Sequence, residues 1–227
     1  MIKIENVRTE GWDPALCGMR NPHNSWNKFD SGYVFDGLDK NGGIQLHYEI
    51  GPNDWQLATQ LVKAGTDHGK FMRMIAVWMN ITAPRYWWIE WDTAKVGTVS
   101  NSCSTMHTIM SKPFETSDFS CDAVDEAIDT LDCDYYDVWH EVDKLNFFRD
   151  KYLSSENADT KKMWWRATIQ SLPQSYNQMR TVNLNYQVLR NMYHSRKNHK
   201  LLEWRQFCEY IEKDLPYSEL ITMEATR

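Results

Sequence analysis

The chain has 227 residues, a formal net charge of −6, eleven tryptophans and five cysteines. This length can bury a substantial core, and we predict one domain over residues 1–227, in which residues 1–50 are an N-terminal extension of unclear role. No apolar run approaches the roughly 18–20 residues that cross a bilayer, and the N-terminus lacks the apolar segment of a secretory signal. We therefore expect a soluble, cytoplasmic protein with no membrane contact. The odd number of cysteines and the absence of C-x-x-C spacing predict neither a metal site nor a disulfide framework.

Charge is sorted along the chain. Residues 113–143 contain eleven acidic residues and no Lys or Arg, which is typical of a solvated acidic helix face. Residues 161–202 contain eight Lys or Arg and no acidic residue. In an acidic protein this basic segment favours a bound anion such as a phosphate. A nucleic-acid surface is the alternative, and the overall acidity and the lack of a Lys/Arg-rich tract count against it.

In the first part of the chain, apolar spacing predicts two strands and one helix. Residues 1–7 alternate apolar and polar side chains, as a strand does. Pro52 is a plausible start for a short amphipathic helix that ends at Gly65. Residues 71–81 are apolar on both faces, which predicts a central strand.

A polar segment at residues 11–33 matches no known motif, and a turn region follows at residues 36–43. The centre of the segment is GMRNPHNSW. Six of its side chains are suited to lining a pocket: Arg20, Asn21, His23, Asn24, Ser25 and Trp26. A hydrogen-bonded surface loop is the other interpretation of this composition.

An aromatic run followed by a polar run marks residues 84–107. Pro84 suits a first helical turn, and four aromatic residues after it form a wide apolar face: Tyr86, Trp87, Trp88 and Trp91. From Thr98 to His107 the chain offers a dense series of short donors and acceptors. We interpret this polar run as facing a ligand, and a capped turn is the alternative.

The second half of the chain is predicted to be mainly helical. Apolar spacings of three and four predict one or two long helices over residues 118–153 and another over residues 157–172, followed by a strand at 179–184. The next apolar stripe ends at Arg196, and the periodicity breaks near residues 197–200. Arg196 either extends to water or joins a phosphate-binding corner where the next helix begins.

The order of these motifs over residues 60–215 resembles the flavin-dependent thymidylate synthase family. Gly65, Asp67-His68 and Ala83-Pro84 occur in the family's order around the predicted central strand. The family signature is R-H-R-x-x-S-x-N-E-x-S-x-R-Y. When one inserted residue in this chain is allowed for, four of its positions match the signature. Lys95 takes the place of the second Arg and Thr98 that of the first Ser. Asn101 matches the Asn, and Ser104 matches the second Ser. The family's late segment is matched by Leu172-Pro173, Thr181-Val182-Asn183, Leu189 and Arg196.

This resemblance implies a fold, a reaction and an assembly. The implied fold is α/β (α+β), with a central, mostly antiparallel sheet flanked by long helices. The implied reaction is the methylation of dUMP to dTMP by a methyltransferase with bound FAD, using methylenetetrahydrofolate and NADPH, in a homotetramer. No protein nucleophile is expected, because the flavin activates the transfer. A nucleophilic Cys103, as in the unrelated flavin-free enzymes, is the less favoured alternative.

The resemblance also implies roles for individual residues. Four residues are implied to bind the substrate: Ser104, Arg196, Lys95 and Arg180. The cofactor-binding set is His68, Lys95, Thr98, Asn101, Asn183 and His199.

The chain departs from the family at six functional positions: Glu90, Thr93, Ser102, Met106, His107 and Asn185. Three of these replace arginines, and each lost charge-assisted hydrogen bond to phosphate is worth about 1.5–3 kcal/mol. Possible replacement cations are Lys95, Arg180, Arg190, Lys197 and Lys200. The departures support an alternative function, in which the same fold binds or sequesters a nucleotide without catalysis. A pure scaffold role is a third possibility without positive support.

Overall fold

The computed structural model describes residues 2–130 and 138–225, and the chain divides into two compact units. The first unit comprises residues 2–5, 80–94 and the described part of 100–181. The second comprises residues 6–79, 95–99 and 182–225. The prediction of a single domain with an extension at residues 1–50 stays a prediction.

The strands of the described chain form a four-stranded and a two-stranded sheet. They are β1 (Lys3–Glu10), β2 (Gly32–Leu38), β3 (Ile44–Glu49), β4 (Ala76–Pro84), β5 (Val99–Ser102) and β6 (Asn177–Asn185). The larger sheet has the order β1-β4-β6-β5, and β2 pairs antiparallel with β3. The predicted mixed α/β class with an antiparallel sheet is confirmed. The strand predicted at residues 71–81 was placed too early, because Lys70–Arg73 forms a 3₁₀ turn and β4 begins at Ala76.

Helices make up much of the described chain. They are α1 (Trp12–Met19), α2 (Pro52–Lys63), α3 (Arg85–Thr93), α4 (Thr105–Thr108), α5 (Asp122–Asp129), α6 (Val138–Ser154), α7 (Ala158–Ser171), α8 (Tyr186–Arg196), α9 (Leu202–Asp214) and α10 (Glu219–Thr222). Within residues 2–130 and 138–225, none is long and apolar enough to cross a membrane. The helical prediction for residues 118–153 is met by α5 and α6, and its part at residues 131–137 lies outside the described residues.

The aromatic run of α3 is central to the core of the first unit. Trp87, Trp88 and Trp91 are at most 1% exposed, and their ring centroids lie 4.9–5.6 Å apart. The indole nitrogen of Trp88 donates a hydrogen bond of 2.8 Å to the carbonyl of Gln178 on β6. Burial of these rings removes a large apolar area from water, and it ties α3 to the strand that carries Arg180.

We expect Gly11→Ala to destabilise the protein by more than about 3 kcal/mol. Gly11 begins α1 with a φ of 89°, and an added Cβ would overlap the carbonyl oxygen of Met74. Gly42→Ala is the control, since its φ is 80° and an added Cβ meets nothing within 4 Å; it should cost only about 1–2 kcal/mol. Urea unfolding measures both variants. Equal losses of stability in the two variants would show that the close approach of residue 11 to Met74 does not affect the free energy of unfolding.

Candidate functional site

A cavity of about 840 Å³ opens in the second unit. Small-molecule sites in proteins commonly have volumes of about 300–1,000 Å³. Three parts of the unit line it: α1 with the 3₁₀ turn Asn21–His23, the end of α2 with the loop that follows it, and the 3₁₀ turn Lys70–Arg73 with Met74. The cavity therefore depends on segments that are up to about fifty residues apart in sequence.

The spacing of buried residues explains why α1 borders this cavity. Trp12, Ala15, Leu16 and Met19 are buried and occupy positions i, i+3, i+4 and i+7 of one helical face. With this face packed inside, Gly18 lies at the cavity wall, where an added Cβ would stand 3.8 Å from the sulfur of Met74.

The cavity combines an apolar wall with a few ionisable groups. Leu61, Phe71 and Met74 contribute apolar surface. His68 and Lys70 are exposed and bring a titratable ring and a positive charge to the same opening. The lining also includes Asp67, so the cavity combines apolar surface with groups of both charges.

Three residues singled out in the sequence line this cavity: His68, Asn21 and His23. His68, predicted to contact a cofactor, lies at the cavity with its neighbour Asp67. The contributions of α1 were missed because residues 11–33 were assigned to a polar segment. The helical spacing of Trp12, Ala15, Leu16 and Met19 was the signal that would have found the helix.

A second predicted group of residues meets at the corner between α8 and α9. Arg196 is half-buried, and its guanidinium carbon lies 5.2 Å from the ring centroid of Trp204. His199 lies 6.3 Å from the same ring, and its backbone N–H donates to the carbonyl of Arg196 at 2.9 Å. Arg196 and His199 therefore lie together between the end of α8 and the beginning of α9, where the break in helical periodicity was predicted.

Two of the possible replacement cations nearby are engaged with the C-terminal segment. Arg190 donates hydrogen bonds from Nη1 to the carbonyls of Leu220 and Ile221, at 3.2 and 3.1 Å. Lys197 forms an ion pair of 2.9 Å with Glu224. Both cations stabilise the C-terminal segment in this arrangement.

The other predicted residues of the second unit form smaller local groups. Thr98 donates from its hydroxyl to the carbonyl of Lys95 at 2.8 Å, and the Lys95 side chain is exposed. Asn183 donates its side-chain amide to the carbonyl of Val77 at 3.2 Å, so it also supports the sheet. Lys95 and Thr98 are thus brought together, and Asn183 retains an amide oxygen that can accept a hydrogen bond.

Three predicted residues belong to the first unit. Asn101 is exposed on β5, and Ser104 is half-buried at the start of α4. Arg180 places its guanidinium carbon 4.3 Å from the ring centroid of Trp88 and Nη1 3.5 Å from Asp92. Burial lowers the pKa of Arg180, opposed by the nearby carboxylate of Asp92.

Metal binding has no support in the part of the chain that the structure describes. Residues 2–130 and 138–225 contain no group of three His, Cys, Asp or Glu side chains that could hold a metal ion.

The fold is that of the ThyX flavin-dependent thymidylate synthases. A structure of thymidylate synthase X (ThyX) from Helicobacter pylori with FAD and dUMP is 15% identical to this chain, with a TM-score of 0.61, and the match covers 97% of this chain and 96% of that one. Another structure of Helicobacter pylori ThyX, complexed with FAD and dUMP, is 16% identical with a TM-score of 0.57, covering 95% and 96%. No protein-family model matches the sequence, and no curated protein matches it.

Proposed function

We propose that the protein binds a flavin and a pyrimidine nucleotide and methylates dUMP to dTMP, using methylenetetrahydrofolate and NADPH. The observation that carries the proposal is the cavity of about 840 Å³ with His68 at its wall. It occurs in a chain whose fold matches proteins solved with FAD and dUMP. The proposal includes a homotetramer in the cytoplasm, on the strength of the sequence resemblance.

The residues around the cavity fit FAD. Phe71 and Met74 offer apolar surface to a flat ring, and Gly18 keeps a side chain out of its way. Lys70 can balance part of the charge of a diphosphate, and the ring of His68 can donate a hydrogen bond to it. When bound, FAD supplies the redox chemistry of the transfer, while the chain orients the ring and excludes water from its apolar face.

Arg196 is proposed to hold the phosphate of the nucleotide. Its guanidinium group is positioned against the buried ring of Trp204, and a fork of donors suits the oxygens of a phosphate. The beginning of α9, a helix of 13 residues, adds a favourable field for an anion, which the carboxylate of Glu203 in its first turn opposes.

The remaining residues keep the roles that the sequence match implies. Ser104, Lys95 and Arg180 are proposed to contact substrate. Lys95 is also proposed to contact the cofactor, together with His68, Thr98, Asn101, Asn183 and His199.

The absorption spectrum of the purified protein is the first test. Bound flavin should give visible absorption bands, and the protein with methylenetetrahydrofolate and NADPH should release tritium from 5-tritiated dUMP. A colourless protein that takes up no added FAD and releases no tritium would rule out the enzymatic proposal.

A specific observation favours the second function, nucleotide binding without catalysis. Arg190 and Lys197 are engaged with the C-terminal segment, while the family's signature arginines are replaced by Thr93 and Met106. Calorimetry separates the two functions. Tight dUMP binding by a protein that takes up no flavin supports the non-catalytic function, and flavin in the purified protein counts against it.

His68→Ala should weaken FAD binding by about tenfold or more, since a hydrogen bond to a charged group contributes about 1.5–3 kcal/mol. His68 lines the cavity and is exposed. His47→Ala is the matched control, because this exposed histidine lies on β3 and pairs with Asp36. Fluorescence titration with FAD measures both variants. Equal affinities of the two would remove His68 from the cofactor site.

A further inference from the structure

A second pocket of the second unit, of about 400 Å³, lies beside α2. Its described lining includes Arg20, His23 and Lys28, which can carry positive charge, and the side-chain amides of Asn53, Gln56 and Gln60. None of the described residues that line it is acidic. The lining therefore offers many hydrogen-bond donors, and Arg20 within it is paired with the carboxylate of Asp54.

Arg20 is fixed in the wall of this pocket by a buried carboxylate. Arg20 is 2% exposed and Asp54 is 0% exposed, and Nε of Arg20 lies 2.6 Å from Oδ1 of Asp54. The second oxygen of Asp54 accepts hydrogen bonds from the backbone N–H of Asp30 and the hydroxyl of Ser31, at 3.0 and 2.6 Å. The guanidinium group is thus oriented before any ligand arrives.

The terminal nitrogens of Arg20 are poorly satisfied. Nη1 has the carbonyl and hydroxyl oxygens of Ser25 at 3.4 Å, which is long for a hydrogen bond. Nη2 is buried and has no hydrogen-bond partner in the described residues. A buried donor without a partner is costly, so a ligand that accepts a hydrogen bond there would relieve that cost.

Asp30, the acidic residue next to the buried pair, has its carboxylate bonded to the backbone of α2. The carboxylate of Asp30 accepts the backbone N–H groups of Asn53 and Asp54 at 2.9 and 3.0 Å. Asp30 therefore satisfies the first turn of α2, and Asp54 neutralises the charge of Arg20. Lys28 remains to attract an anion to the opening, and the ring of His23 can donate a hydrogen bond.

We propose that this pocket binds a phosphate group or a chemically similar small oxyanion, with Arg20 as its principal donor. The fork of a guanidinium group matches the oxygens of such an anion, and the amides of Gln56 and Gln60 add donors from α2. This assigns a role to GMRNPHNSW, which supplies Arg20, His23 and Ser25. The proposal does not rest on the proposed flavin and nucleotide functions, although His23 lines both this pocket and the larger cavity.

Inorganic phosphate is the probe, and calorimetry with the full chain is the measurement. Gln60→Glu places a negative charge in the pocket and should weaken phosphate binding about tenfold or more. The control is Lys63→Gln, which changes the net charge by the same amount at an exposed residue near the end of α2. It should leave the affinity unchanged. Both substitutions avoid the buried pair, so neither is expected to unfold the protein.

Two further experiments define where the phosphate binds and whether it can belong to a larger molecule. Phosphate binding should persist in Arg196→Met, which separates this pocket from the proposed nucleotide site. The second experiment tests whether ribose 5-phosphate competes with inorganic phosphate in that variant. Competition would show that the pocket accepts the phosphate of a larger molecule. A failure to compete would restrict the ligand to the free anion. No binding of phosphate at millimolar concentration, or equal affinity in Gln60→Glu and Lys63→Gln, would overturn the proposal.

Discussion

Asp54→Ala is expected to lower the free energy of unfolding by about 3–5 kcal/mol, because removal of one partner leaves a buried charge uncompensated. Asp54 is completely buried and accepts three hydrogen bonds, from Arg20, Asp30 and Ser31. The substitution leaves all three donors without that acceptor. Urea unfolding followed by circular dichroism measures the loss.

Two comparisons separate loss of the buried charge pair from a general effect of substitution. The double variant Arg20→Met/Asp54→Ala removes both charges and should recover part of the stability. Glu209→Gln breaks an exposed ion pair with Lys213 and should leave the unfolding midpoint unchanged. A double variant as unstable as the sum of its two single variants would show that the charges do not stabilise each other.

Elements with local signals in the sequence were predicted well. Pro52 begins α2, and the periodic apolar residues after it fix its length. Asn157 caps α7 by accepting backbone N–H groups of Asp159 and Thr160, and Pro173 follows the helix, so the predicted range of 157–172 is close to the observed one. Caps and breakers act within a few residues of themselves, which is why the sequence alone shows them.

The helix α1 and the β2–β3 hairpin were missed because their local signals conflict. In α1, Pro14 and Gly18 suggest a loop, although proline is tolerated in a first helical turn. In the β2–β3 hairpin, Tyr33 and Phe35 are exposed, and a register shift between Phe35 and Gly37 interrupts the alternation of side chains. Neither the helical nor the strand period is therefore clear in these stretches.

The candidate sites also differ in whether their residues are close together or far apart in the sequence. The corner at Arg196 and His199 was predicted because all its parts lie within a few residues of one helix break. The pairing of Arg20 with Asp54 spans 34 residues, and residues at such a distance carry no local pattern that announces their contact. GMRNPHNSW was accordingly recognised as unusual, but its partner on α2 was visible only in the fold.

Arg196→Met should reduce dUMP affinity by about 3 kcal/mol, or about a hundredfold, if Arg196 donates two charge-assisted hydrogen bonds to the phosphate. Methionine keeps an apolar stem of similar length against Trp204, which is 0% exposed, so the packing of α9 should survive. Arg196→Ala removes the stem as well and is expected to abolish binding. Calorimetric titration with dUMP measures both variants.

Arg205→Met is the matched control for this experiment. Arg205 is an exposed residue of α9 next to Trp204, and its loss changes the net charge by the same amount as the loss of Arg196. Affinity for dUMP should therefore be retained in Arg205→Met, and thermal unfolding should show that all three variants are folded. If Arg196→Met binds dUMP as tightly as Arg205→Met does, the phosphate lies elsewhere and the corner between α8 and α9 is structural. A selective loss in Arg196→Met would instead tie the nucleotide to a guanidinium group held against Trp204.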